Sequence, residues 1–132
     1  MTPEDLLYAK THEWVSVETD DSGAKVATVG LSAFALEALT DLVFMELPEI
    51  GREVSAEEPF GEVESVKAVS DLICPVSGEI VAVNADIADD LEKLTEDPYG
   101  AGWMIKVKLS DETALANLVD YTAYQKQCAE EH

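Results

Sequence analysis

A single lysine stands in the middle of the chain among acidic residues. Lys67 is the only basic residue between positions 53 and 92. It lies between Val66 and the small Ala68, and apolar and polar residues alternate on both sides, which predicts a two-stranded hairpin with the lysine near its tip. An amine at such a tip is accessible to a modifying enzyme. The alternative is a surface lysine whose ion pairs contribute about 0.2–1 kcal/mol.

Two carboxylates precede this lysine on the same predicted strand. Glu62 and Glu64 share one face of that strand by parity, as a general acid/base pair would. No second reactive group accompanies them in the sequence. A catalytic pair is therefore not predicted.

The cysteines and histidines do not form a recognisable ligand set. Cys74 and Cys128 have no CxxC neighbour, and His12 and His132 stand apart from them in sequence. A structural zinc site needs several such ligands at short spacings. We therefore expect no metal site and no disulfide framework, and we interpret the two cysteines as ordinary, partly buried thiols.

The elements that position Lys67 are short strands separated by Gly- and Pro-containing turns. Ser32 can cap a helix over residues 33–39, Ser110 a helix to about residue 118, and Thr122 with Gln125 forms a possible capping box for a last helix. The Pro-x-x-Gly spacing at 48–51 recurs at 75–78, which marks either two similar β units joined by the Lys67 hairpin or ordinary turn chemistry. A further short helix is predicted over 88–94, and strands over 12–18, 24–29, 42–47, 60–66, 69–73, 79–84 and 103–109.

This pattern predicts a mainly β fold, a small sandwich or flattened barrel with short helices and a C-terminal helical extension. The 132 residues fit a single domain, with a core at about residues 24–109 and C-terminal helices at about 110–130. The formal net charge of −20 disfavours binding to nucleic acids and membrane surfaces. No apolar run approaches the ~18 residues of a membrane span, and no signal or transit peptide is seen, so we expect a cytoplasmic protein.

Six segments of the chain form a recognisable pattern. They are 11–15 (THEWV), 27–31 with 37–39, 41–44 with 46–48, 64–68 (ESVKA) with 70–71, 75–79 (PVSGE), and 96–100 with 102–106. In this order and at this spacing they resemble the H protein of the glycine cleavage system, a lipoyl carrier, and the resemblance covers nearly the whole chain.

The resemblance implies a lipoyl/biotinyl-type β-sandwich that acts as a non-catalytic, monomeric carrier, with lipoic acid attached to Lys67. Glu64 and Gly78, which lies eleven residues after the lysine, match elements that lipoylating enzymes recognise. Thr11, Glu13 and Asp71 match positions where the family docks the loaded arm. The partners implied are a pyridoxal-phosphate-dependent glycine decarboxylase, a folate-dependent aminomethyltransferase, dihydrolipoyl dehydrogenase and the lipoylating enzymes.

Other carriers and one unmodified protein remain as alternatives. A lipoyl domain of a 2-oxo-acid dehydrogenase complex would lack the segments around Trp14 and Trp103, and a biotinyl carrier would place Met on both sides of the lysine. A lipoyl-relay protein would use the same lysine. An acidic interaction module without any modification is the alternative from a different class.

Overall fold

In a computed structural model, the chain is described over residues 3–39, 41–111 and 113–131. His132, for which the sequence predicts no metal site, lies outside these ranges. The strands are β1 (Leu7–Tyr8), β2 (Glu13–Thr19), β3 (Lys25–Leu31), β4 (Leu42–Glu46), β5 (Glu53–Val54), β6 (Pro59–Ser65), β7 (Val69–Ile73), β8 (Ser77–Val83) and β9 (Ile105–Asp111). The α-helices are α1 (Ala33–Leu39), α2 (Ala85–Asp89), α3 (Leu91–Glu96) and α4 (Tyr121–Glu131), and Pro3–Asp5 and Thr113–Asn117 form 3-10 helices.

The strands form two antiparallel sheets that do not close into a barrel. The larger sheet has the strand order β1-β2-β3-β9-β8-β5, and the smaller has the order β4-β6-β7. The predicted mainly β sandwich with short helices and a C-terminal helix is confirmed. Apolar side chains from both sheets fill the space between them, and this burial is the main stabilising contribution to the fold. The core includes Val15, Val29, Met45, Phe60, Val63, Leu72, Ile80, Ile105 and Val107.

The three-stranded sheet shows the period of two that a half-buried sheet requires. Met45, Val63 and Leu72 point into the core. Their neighbours along the strands face solvent and form what we call the outer face. It consists of Phe44 and Glu46 on β4, Glu62 and Glu64 on β6, and Val69 and Asp71 on β7.

Several element boundaries differ from the sequence prediction. The helix predicted over 88–94 is two helices, because Asp90 leaves helical geometry and its side chain caps α3 through the Glu92 N–H. Ser110 does not begin a helix, since β9 continues to Asp111 and the helical turn that follows is a 3-10 helix. The last helix is capped by Asp120, which accepts from the Ala123 N–H at 2.9 Å, rather than by Thr122.

Ser32 does cap α1, accepting from the Ala35 N–H at 3.3 Å. The two Pro-x-x-Gly segments lead into strands that pair with each other, β5 with β8. No helix in the described part of the chain is long and apolar enough to cross a bilayer.

Candidate functional site: an exposed lysine and a buried carboxylate on one hairpin

The turn between β6 and β7 is held by its own backbone and one side chain. The Ser65 N–H donates to the Ala68 carbonyl at 2.8 Å. The Ser65 hydroxyl oxygen accepts from the Lys67 and Ala68 N–H groups, each at 3.2 Å. The Val66 N–H donates to the Asp41 carbonyl at 3.2 Å, which ties the turn to the start of β4. The backbone that carries Lys67 is therefore fixed.

The Lys67 side chain itself is exposed at the tip. Within the described residues, no hydrogen bond or ion pair joins its amine to another side chain. Its neighbours Val66, Ala68 and Val69 are also exposed. The hairpin thus presents one amine to solvent from a fixed backbone, and acylation of that amine would displace no contact.

The two residues predicted to guide lipoylation have different surroundings. Glu64 is half-buried on the outer face, opposite Phe44 on one side and Val69 on the other. Gly78 is buried where β8 pairs with β9 beside a shift in register, and a Cβ at this position would lie 2.1 Å from the Lys108 carbonyl oxygen. Close approach of two backbones therefore already requires glycine at position 78, and a role in recognition remains a prediction.

Glu13 is a buried carboxylate at the start of β2, with 1% of its surface exposed. It has the parity of Val15 and faces the core, whereas Trp14 faces the opposite side. The Thr11 hydroxyl donates to its carboxylate. Thr11 and the nearby backbone N–H groups of Ile73 and of Glu13 itself lower the pKa of this carboxyl. Burial nevertheless dominates and raises the pKa of Glu13 to about 7.

The buried carboxylate lies against the base of the hairpin that carries Lys67. Ile73 is the last residue of β7, and Lys67 precedes the first residue, Val69, by two positions. The strand from Val69 to Ile73 spans roughly 13 Å.

Cys74, the residue after Ile73, is fully buried, and burial with the nearby Glu13 charge raises the pKa of its thiol to about 11. This Cys74 thiol is therefore inert, and Cys128 is a free, half-buried cysteine.

The turn before Glu13 is pinned from several directions. The Ala9 N–H donates to the Glu13 carbonyl at 2.9 Å, and the Ser32 N–H to the His12 carbonyl at 3.0 Å. His12 has a φ of 79°, in the left-handed region that few residues other than glycine adopt. The Tyr124 hydroxyl hydrogen-bonds His12 Nδ1 at 2.7 Å. Helix α4 therefore holds the turn that places Glu13.

Sequence reasoning missed this contact, because His12 and Tyr124 are 112 positions apart and neither has a distinctive spacing. Tyr124 also hydrogen-bonds Ser32 and stacks on Tyr8, with ring centroids 4.3 Å apart. Desolvation raises the pKa of both tyrosines. The sequence shows only that the predicted last helix contains a tyrosine, and this alone does not identify His12 as its hydrogen-bond partner.

Asp71 does not join the other two residues predicted for arm docking. It is exposed on the outer face, opposite Glu62, and lines a shallow depression that also includes Glu46 and Arg52. Among the described residues, no hydrogen bond links Asp71 to Thr11 or Glu13. The structure therefore brings Thr11 and Glu13 together and leaves Asp71 on a different surface.

No group of three or more His, Cys, Asp or Glu side chains in the described ranges is arranged to hold a metal ion. The two-sheet antiparallel sandwich with an exposed lysine at a hairpin tip is typical of the lipoyl/biotinyl class of domain.

Comparison with known proteins identifies the family within this class. The family model described as "Glycine cleavage H-protein" matches residues 6–131. The glycine cleavage system H protein of Rhodopirellula baltica is 56% identical over 128 residues, which cover 97% of this chain and 96% of that one. The H protein of Rubrobacter xylanophilus is 52% identical over 119 residues, 90% of each chain.

A solved structure agrees with these relatives. The crystal structure of a glycine cleavage system H protein from Mycobacterium marinum superposes with a TM-score of 0.84 at 45% identity, and the match covers 97% of this chain and 99% of that one. The chain belongs to the glycine cleavage H-protein family.

Proposed function

We propose that this protein is the lipoyl carrier of a glycine cleavage system, with the lipoyl group attached to Lys67. In this role it moves the aminomethyl group of glycine from a pyridoxal-phosphate-dependent decarboxylase to a folate-dependent aminomethyltransferase. A dihydrolipoyl dehydrogenase then restores the disulfide. The protein itself catalyses none of these reactions.

The observation that carries the proposal is the setting of Lys67. A lipoyl amide needs an amine that an attaching enzyme can reach, and this amine is exposed on a backbone held by Ser65 and Ala68. Acylation removes the positive charge of the lysine, so the formal net charge changes by −1. When attached, lipoic acid supplies a strained five-membered disulfide that opens more readily than an ordinary one.

We assign Glu13 and Thr11 a role in protecting the cargo. A carboxylate out of contact with water binds a cationic amine through a charge-assisted hydrogen bond, and Glu13 is buried with Thr11 as its hydrogen-bond donor. A cation beside Glu13 also favours ionisation of a carboxyl that burial keeps partly protonated near neutral pH. We expect Glu13→Gln to be lipoylated normally but to lose the aminomethyl group faster, and equal lifetimes would contradict this role.

The test of function is the exchange of labelled bicarbonate into the carboxyl group of glycine, catalysed by glycine decarboxylase. We expect the exchange rate to rise with the concentration of the lipoylated protein. Lys67→Arg should support no exchange, and Lys93→Arg, which changes another exposed lysine, should match the wild type. A lipoylated protein that supports no exchange would indicate a lipoyl-relay role instead.

A further inference from the structure

The outer face combines exposed apolar side chains with carboxylates next to Lys67. Six large apolar residues are exposed in the described part of the chain, and four of them surround the hairpin tip. Phe44 and Val69 flank Glu64 in one row across the sheet, with 49% and 58% of their surfaces exposed. Val66 and Val43 extend the apolar surface at the tip and along β4. Exposed apolar groups concentrated in one place mark an interaction surface.

A second row of residues on the outer face consists of carboxylates that repel one another in the isolated protein. Glu46 lies opposite Glu62, and Glu62 lies opposite Asp71, so three carboxylates occupy one row across the three strands. Like charges directly opposite each other destabilise a sheet. Arg52 lines the same depression, but its guanidinium group is bound to Glu58 and to the Pro59 carbonyl at 3.2 and 3.0 Å. Cationic groups of a partner would relieve this repulsion.

We propose that the outer face is the docking surface for the enzyme that attaches the lipoyl group. Phe44 and Val69 contact an apolar area of that enzyme, and the row of three carboxylates contacts basic residues at the rim of this area. The proposal rests on the function proposed above. It adds two residues, Phe44 and Val69, that the motif around the lysine does not include.

Of the enzymes that act on this protein, the one that attaches the lipoyl group must approach the hairpin most closely. Attachment joins the Lys67 Nζ to the carboxyl carbon of a lipoyl adenylate, with loss of a proton from the nitrogen and departure of AMP. The active site of the attaching enzyme must therefore come within one lysine side chain of the backbone at the tip, and its surface must cover the residues beside it. Enzymes that react with the far end of the arm need not contact the outer face.

The charge of the surface indicates the chemistry of the partner. Four of the six outer-face residues are carboxylates, in a chain whose formal net charge is −20. A complementary surface has an apolar centre bordered by Lys and Arg. Association with such a surface weakens as salt screens the charges.

The proposal is tested by the kinetics of lipoylation with a lipoate–protein ligase, lipoate and ATP, followed by intact mass. Phe44→Ser and Val69→Ser are compared with Val81→Ser, which changes an exposed valine on β8 in the other sheet. We expect kcat/KM for the protein substrate to fall about tenfold for Phe44→Ser, mostly through KM, and somewhat less for Val69→Ser. Val81→Ser should stay within about twofold of the wild type.

A second pair of variants tests the charged row. Glu46→Gln should raise KM and reduce its dependence on salt, whereas Glu79→Gln on β8 should leave both unchanged. Kinetics of Phe44→Ser indistinguishable from those of Val81→Ser would overturn the docking surface and leave the carrier function intact. A wild-type protein that is never lipoylated would overturn both proposals.

Discussion

The two ends of the Lys67 hairpin differ in almost every physical respect. At the tip, the backbone is fixed by Ser65 while the Lys67 side chain extends freely into solvent. At the base, the backbone of Ile73 lies beside the buried carboxylate of Glu13, which accepts from Thr11 and whose own backbone is held by Ala9. The tip leaves a side chain free, and the base fixes one in place.

This difference matches the two tasks proposed for the site. Attachment of a lipoyl group needs an amine that the attaching enzyme can reach, so exposure is useful at the tip. Protection of a reactive cargo needs exclusion of water, so burial is useful at the base. One short hairpin, β6–β7, connects the two environments, and its tip and base are separated by a strand of five residues.

The largest expected effect concerns the buried carboxyl at the base. The folded-state pKa of Glu13 is about 7 against an ordinary value of 4.5. As pH rises from 4.5 to about 7, the unfolded chain releases this proton before the folded protein does, so stability falls across this window by about 3 kcal/mol and then levels off. Glu13→Gln should remove this part of the pH dependence.

Urea unfolding of the wild type and of Glu13→Gln at about pH 4.5 and pH 8 measures the difference. The variant should gain about 3 kcal/mol relative to the wild type between the two pH values. Glu79→Gln, at an exposed position on β8, is the matched control and should show no such gain. A constant difference between Glu13→Gln and wild type would contradict the burial argument.

The residue pattern predicts the exposed end of the hairpin but not the buried end, for which only the family resemblance pointed to Thr11 and Glu13. Lys67, its strands and its turn follow from local alternation and from a solitary basic residue. Glu13 also fits a solvent-facing position in an alternating strand, but Glu13, Trp14 and Val15 are all buried because both faces of β2 are covered at its start. Strand alternation alone cannot indicate that other parts of the chain cover both faces of a strand.

Contacts distant in sequence explain most of the other differences. The Tyr124–His12 bond joins the two ends of the chain, and the two-residue strands β1 and β5 are too short to produce a periodic signal. The prediction of a helix beginning at Ser110 was wrong because pairing with β8 extends β9 to Asp111. Tertiary pairing overrides local capping preference at that position.

A smaller effect is expected when the clamp on the Glu13 turn is weakened. Tyr124→Phe keeps the aromatic ring but removes the hydroxyl bonds to His12 and Ser32, which should cost about 2 kcal/mol of unfolding free energy. Hydrogen exchange should become faster at the Ser32 N–H, which donates to His12, and stay unchanged at the Ser65 N–H in the hairpin.

The matched control for the clamp is Tyr121→Phe. Tyr121 lies in the same helix and packs against Tyr8, with no hydrogen bond from its hydroxyl among the described contacts. Exchange that accelerates equally in Tyr124→Phe and Tyr121→Phe would show that α4 contributes only general stability.

The smallest effect is expected at the tip. Ser65→Ala removes the acceptor for the Lys67 and Ala68 N–H groups, at a cost of about 1 kcal/mol, because the partly exposed amides bind water instead. Hydrogen exchange should accelerate at these two amides and not at Ser32. Ser55→Ala, at another exposed turn serine, should change neither. Acceleration at Ser32 in Ser65→Ala would show that the two ends of the hairpin are not independent.

The central claim is that Lys67 carries the lipoyl group, and intact mass with peptide mapping tests it most directly. Protein produced with a supply of lipoate should carry one lipoyl group, located on Lys67. Lys93→Arg should carry one group as well, and Lys67→Arg should carry none. An unmodified wild type, or a lipoyl group on any other lysine, would contradict the account.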